Sequence, residues 1–135
     1  MEKTMILIKA AIAAAGGVIA YWLGGIDQML TALLALIVLD YLSGLLKAIH
    51  NKALSSEIGW KGIVKKILYL AIVAVAYIIE SLITESLPLR EITIMFFIAN
   101  EGISILENAA GAGIPIPDQL TKFLGQLKSG DKDGE

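Results

Sequence analysis

No cysteine occurs in the chain, which excludes a disulfide frame, a thiolate metal site and a thiol nucleophile. The single histidine, His50, has no spaced set of acids around it, so no metal site is expected. A glycine-rich phosphate loop, a nucleophile elbow, a Ser/His/Asp set and an HExxH helix are all missing, and no catalytic or cofactor-binding residue is expected. Charge is scarce, at 18% of residues, and nearly balanced, with 11 basic against 13 acidic. No basic face stands opposite the one basic stretch, so the chain cannot follow a phosphate backbone and nucleic acid is not an expected partner. What remains is apolar: 56% of residues are hydrophobic and the mean hydropathy is +0.73, outside the range of water-soluble domains. The chain reads as a single-domain membrane protein whose first partner is the lipid bilayer.

Its basic residues concentrate in KAIHNKALSSEIGWKGIVKK, from Lys47 to Lys66, where Lys47, Lys52, Lys61, Lys65 and Lys66 face one acid, Glu57. Apolar runs flank this stretch on both sides. Lysine-rich short connections stay in the cytoplasm, so these five lysines are the expected determinants of topology.

Met5 to Leu23 is apolar apart from Lys9 and, at ~1.5 Å per residue, is about 28 Å long, close to the ~30 Å hydrocarbon core. The start Met1-Glu2-Lys3 with Ala13-Ala14-Ala15 imitates a cleaved signal, but Lys9 breaks the apolar core and the run continues past the alanines, so a retained span is expected. Gly16, Ala20 and Gly24 follow at four-residue spacing and predict a face for close helix packing. Gly24-Gly25-Ile26-Asp27-Gln28 reads as a tight turn on the far side, with glycines suited to positive φ.

Met29 to Leu46 is the second expected span. Asp40 lies inside it, at a cost of about 2.5–3.5 kcal/mol on insertion scales, so it should face protein or water, either as a helix-to-helix hydrogen bond or as a functional group. Gly44 and Lys47 share its face. Ser55 or Ser56 can cap the third span, Ile63 to Ile83, on which Tyr69, Val73, Ala76 and Glu80 share one side. Glu80 is at the outer end, within reach of water. Thr84 to Leu89 is a short acidic connection, with Pro88 suited to the first turn of the next helix.

The fourth segment, Pro88 to about Ala110, carries Arg90, Thr93, Asn100, Glu101, Ser104, Glu107 and Asn108 within a sector of about 120° at helical spacing. Such a stripe can lie on the membrane surface, pack inside a monomeric bundle, or line an aqueous path in an oligomer. A surface helix usually carries Lys or Arg on its polar face, and four short spans offer little volume to satisfy so many polar groups, so the oligomeric path is the favoured expectation. Asp40 and Glu101 fall at matching depth, which suits a shared proton or an ion path.

Beyond Gly111 the run GAGIPIPDQL ends the helix, Asp118 can cap a short amphipathic helix over Gln119 to Leu127, and residues 129–135 are expected to be disordered. The expected architecture is therefore an all-α integral membrane protein. A membrane domain over residues 1–128 has four spans at about 5–23, 29–46, 63–83 and 88–110, a short C-terminal amphipathic helix, oligomeric assembly and both termini in the cytoplasm.

Several pieces occur in one order: Gly25-x-Asp27-x-x-Leu30, Asp40-Tyr41-x-x-Gly44-x-x-Lys47-Ala48, Leu54-Ser55-Ser56, Gly59-x-Lys61-Gly62-x-x-Lys65-Lys66, Asn100-Glu101-x-x-Ser104-x-x-Glu107-Asn108 and Gly113-x-Pro115-x-Pro117. As a set, over residues 24 to 127, they resemble the phage-lysis and toxin-secretion holin family. The resemblance implies a non-enzymatic protein of the bacterial cytoplasmic membrane. It would assemble as a homo-oligomer into lesions that release a murein hydrolase or a toxin, the cargo being an indirect partner. Relatives are often drawn with three spans, and Glu80 stands where the pattern has Asp. A small oligomeric ion or proton channel subunit, and a membrane scaffold recruiting a partner through the basic loop, are the alternatives.

Overall fold

The computed structural model describes residues 1–83 and 86–129, the side chain of Ile58 excepted. All of its regular structure is helical: α1 (Glu2–Trp22), α2 (Gln28–His50), α3 (Ser56–Leu82), α4 (Leu89–Gly111) and α5 (Asp118–Ser129). The expected disordered tail lies, from residue 130 on, outside the described residues, as do Thr84 and Glu85 of the acidic connection.

Among the described residues, three helices are long and apolar enough to cross a membrane: α1, α2 and α3 from Gly59 onward. The expected fourth span, α4, is not among them. Its length suffices, but Arg90, Glu91, Glu101 and Glu107 lower its apolar character.

The helix ends follow local chemistry. At the end of α1, Gly25 N–H donates to Ala20 O (2.8 Å) and Gly24 N–H to Tyr21 O (3.1 Å), a Schellman cap in which Gly24 takes φ +85°. Gly24 therefore lies beyond α1 and not on its small-residue face, a correction to the spacing argument. Asp27 caps α2 by accepting the Leu30 N–H at 2.9 Å. The same Schellman pattern closes α2, with Ala53 N–H on Ala48 O and Lys52 at φ 54°, and closes α4, with Ile114 N–H on Ala109 O and Gly113 at φ +91°.

α4 is the centre of the bundle, packing against α2, α3 and α5, whereas α2 and α3 touch each other little and α1 makes only slight contact with α3. Lipid tails are as apolar as leucine, so apolar helices gain no hydrophobic drive from associating; small residues, packing and interhelical polar bonds hold them instead. The arrangement follows that rule. α1 shares no buried charge with its neighbours and no residue of it is buried. Gly16 has nothing within 4 Å of a Cβ placed on it, so within one chain the expected packing face is open at Gly16, while Ala20 is partly buried. α2, α3 and α4 share charged groups and form the core. Leu30, Leu33, Tyr69, Val73, Ile94 and Phe97 fill the space between them, with Leu23 at its edge.

Candidate functional site

Two polar clusters sit at the two ends of that apolar core, separated along α4 by about 16 Å at ~1.5 Å per residue. The one toward the lysine-rich connection is a buried charge centre. Lys66 Nζ donates to Asp40 Oδ2 at 2.5 Å and to Glu101 Oε2 at 2.6 Å, joining α2, α3 and α4. Asn108 Nδ2 donates to Asp40 Oδ1 (3.0 Å) and Ser43 Oγ (3.0 Å), and Asn100 Nδ2 to Tyr69 Oη (2.9 Å). The Tyr69 ring stacks on Phe97 at 4.3 Å between centroids and lies 5.8 and 5.9 Å from the Lys65 and Lys66 ammonium groups. Glu101 is 1% exposed and Asp40 8%. The two carboxylate oxygens bound to one nitrogen are no more than about 5 Å apart, and two carboxylates around one ammonium leave one negative charge unbalanced when all three are ionised.

The expected matching depth of Asp40 and Glu101 thus appears as a shared partner. That partner, Lys66, lies in α3, within the expected third span, where the sequence suggested a role in topology and no pairing with the two acids. A signal for it exists in the sequence. Lys66 precedes Tyr69, Val73 and Ala76 at spacings of three and four, and the three apolar residues of that row are buried. Ser43 and Tyr69 also belong to the centre, and Ser43 had no signal beyond its place one turn from Asp40 and Lys47.

The other cluster surrounds Arg90, 6% exposed. Its Nε donates to Leu23 O (2.5 Å), Nη1 to Asp27 Oδ2 (2.7 Å), and Nη2 to Gly25 O (2.9 Å) and Asp27 Oδ1 (3.3 Å). Glu80 Oε1 accepts the Arg90 backbone N–H at 3.3 Å, so the carboxylate at the end of α3 caps the start of α4. The Arg90 guanidinium beside Asp27, with the Leu30 N–H, holds the Asp27 carboxyl below the usual aspartate range. Arg90 and Glu80 therefore tie the α1–α2 turn and the start of α4 together in the single chain.

The remaining members of the stripe separate. Thr93 returns its hydroxyl to Leu89 O, Ser104 is half-buried, and Glu107 is exposed. Arg90, Asn100, Glu101 and Asn108 all find partners within the chain. The premise that a small bundle has no room for them fails, because Lys66, Asp27 and Tyr69 supply bonds that the stripe itself does not reveal. A Cβ on Gly44 would stand at ordinary contact, 3.6 Å, from Asn108 Nδ2. Lys47 lies over Gly111, where a Cβ would meet its Cε at 2.7 Å, and Lys61 pairs with Glu57 at 3.1 Å on the surface. No group of His, Cys, Asp and Glu suited to a metal ion occurs among the described residues.

The sequence model of the bacteriophage holin family matches residues 17–129. An uncharacterized protein of Clostridium perfringens strain 13 is 40% identical over 130 residues, covering 96% of each chain. One of Listeria innocua is 39% identical over 130 residues, covering 95% of this chain and 93% of its own. A protein of Bacillus phage phi105 named a probable holin is 37% identical over 110 residues, 82% of this chain and 81% of that one. No solved structure gives a significant match. With the family's sequence pattern running from the middle of α1 to the end of α5, and relatives of similar length and high coverage, the chain belongs to the bacteriophage holin family.

Proposed function

We propose that the chain is a holin that accumulates in the bacterial cytoplasmic membrane, with both termini inside, and assembles into a lesion that releases a murein hydrolase or a toxin. It would act without catalysis. The observation that supports this most is the buried Asp40–Lys66–Glu101 centre. Buried ion pairs cost desolvation that packed apolar residues avoid, and ionisable groups within spans mark function by default. In the single chain the centre is closed. In the assembly, α4 would turn its stripe to water shared between subunits, and α1, whose Gly16 and Gly17 have open space beside them in one chain, would meet another copy.

The extra proton that the unbalanced carboxylate can hold in the closed form would be released on hydration. Collapse of the membrane potential would shift this balance, since a charge crossing the field is worth about 2.3 kcal/mol per 100 mV. The same carboxylate pair favours a second reading, a small proton or ion channel subunit. Both are tested by inducing Asp40→Asn and Glu101→Gln in a bacterium with a cytoplasmic reporter enzyme, at matched membrane abundance. The time of enzyme release should change for both variants and stay unchanged for Ile92→Leu, on the exposed side of α4. Wild-type timing from both carboxamides would sink the proton mechanism, and ion leakage without enzyme release from the wild type would establish the channel. A scaffold would do neither.

A further inference from the structure

On the basic side of the charge centre, a cleft of about 400 Å3 opens between the ends of α2, α3 and α4. Lys47 and Lys65 line it, and the hydroxyls of Tyr41 and Ser104 border it without a hydrogen-bond partner among the described residues. Its one acid, Asp40, is occupied by Lys66 and Asn108. The free charge of the cleft is therefore positive. A second space of about 330 Å3 runs between α2 and α3, walled by Ile37, Val38, Leu42, Ile63, Ile67 and Leu70. The two meet at Tyr41 and Lys66, which line both.

This groove stays open because α2 and α3 are each held by α4 and scarcely by each other. Gly59 and Gly62 leave room for the Tyr41 ring at the junction; a Cβ on Gly59 would stand 3.2 Å from the Tyr41 hydroxyl. From Ile63 to Leu70 the groove wall rises about 10 Å, most of the ~15 Å depth of one leaflet. A cationic cleft with unpartnered hydroxyls, continuous with an apolar groove along a helix that can cross the membrane, has the polarity profile of a headgroup followed by a chain.

We propose that cleft and groove together bind one anionic phospholipid, its phosphate at Lys47, Lys65 and the Tyr41 hydroxyl and one acyl chain between α2 and α3. The site is independent of lesion formation. A free phosphate would leave the groove empty, and a neutral zwitterionic lipid would leave the lysines unmatched.

The experiment uses the full chain purified in mild detergent, offered equal amounts of phosphatidylglycerol and phosphatidylcholine with identical chains, with retained lipid read by native mass spectrometry. One phosphatidylglycerol should be retained with a preference of about tenfold or more, the scale of two lysines near an anionic surface. Lys65→Gln, at an exposed position, should reduce that preference several-fold, and Lys47→Gln with Lys65→Gln should bring it near unity. Val38→Trp should fill the groove and lower retention of both lipids. Lys61→Gln, outside the cleft, should change nothing. Equal retention of the two lipids by the wild-type chain, or a preference surviving Lys65→Gln undiminished, would overturn the site.

Discussion

Arg90 directs its guanidinium into the turn between α1 and α2, and that turn is shaped to receive it. A Cβ on Gly24 would stand 2.6 Å from Arg90 Nε and 2.7 Å from Tyr77 Cδ1, so the residue is required for its positive φ and for its missing side chain alike. The bond to Arg90 holds the Asp27 carboxyl below its ordinary range, and a depressed carboxyl contributes stability above its unfolded pKa. That contribution is complete at neutral pH, begins to fall below about pH 4 and is lost as pH drops through the folded value. Thermal unfolding in detergent should therefore show an acid-sensitive component below about pH 4 that Asp27→Asn removes; identical pH profiles would deny Asp27 this role. Lys52 presents the opposite case, a side chain in a left-handed position that glycine fills at the ends of α1 and α4. Lys52→Gly should raise stability by about 0.5–1 kcal/mol, read as a higher Tm, by relieving that strain. Lys47 in α2 and Lys61 and Lys65 in α3 keep the surroundings of the connection basic in that variant.

Among the elements, α4 explains why the others take their places. Its inward face carries charge at both ends and apolar side chains between, and α2 and α3 each supply the complement. α5 covers another part of it: Leu124 lies on Gly102, where a Cβ would stand 3.1 Å from Leu124 Cδ1. The expected amphipathic helix is present, with Leu124 and Leu127 partly buried while Leu120 and Phe123 remain exposed. Gly102→Leu should therefore displace α5 while leaving the charge centre intact. Limited proteolysis should cut within 118–129 at least several-fold faster in the variant than in the wild type, and equal rates would show that α5 is held by contacts other than this one.

For the whole molecule, the open question of span number has a direct reading. With the lysines inside, single cysteines at Asn51 and Gln28 should label from the inside and the outside respectively. A third at Lys128 decides α4. Inside labelling, together with Asn51, is expected if α4 crosses as the fourth span, and outside labelling would mean that only α1, α2 and α3 cross. Labelling of Asn51 and Gln28 from one face would overturn the orientation itself.

The sequence by itself determined the membrane class, the order and approximate places of the five helices, with α3 starting at Ser56 ahead of the expected span at Ile63, the turn at Gly24-Gly25 and the family. These rest on local or periodic properties: apolar length, capping residues, helical spacing and an ordered set of motifs. The tertiary structure decided the partners. Lys66 looked like one of five topology-setting lysines, at the start of the third span, until the packing of α3 on α2 and α4 placed it beside Asp40 and Glu101. Arg90 and Glu80 looked like parts of a stripe and an outer end until the α1–α2 turn was seen to close on the guanidinium. In each case a charged group's role depends on which opposite charge the fold brings within about 3 Å, and that distance joins residues 26 to 63 positions apart, beyond the reach of any local pattern.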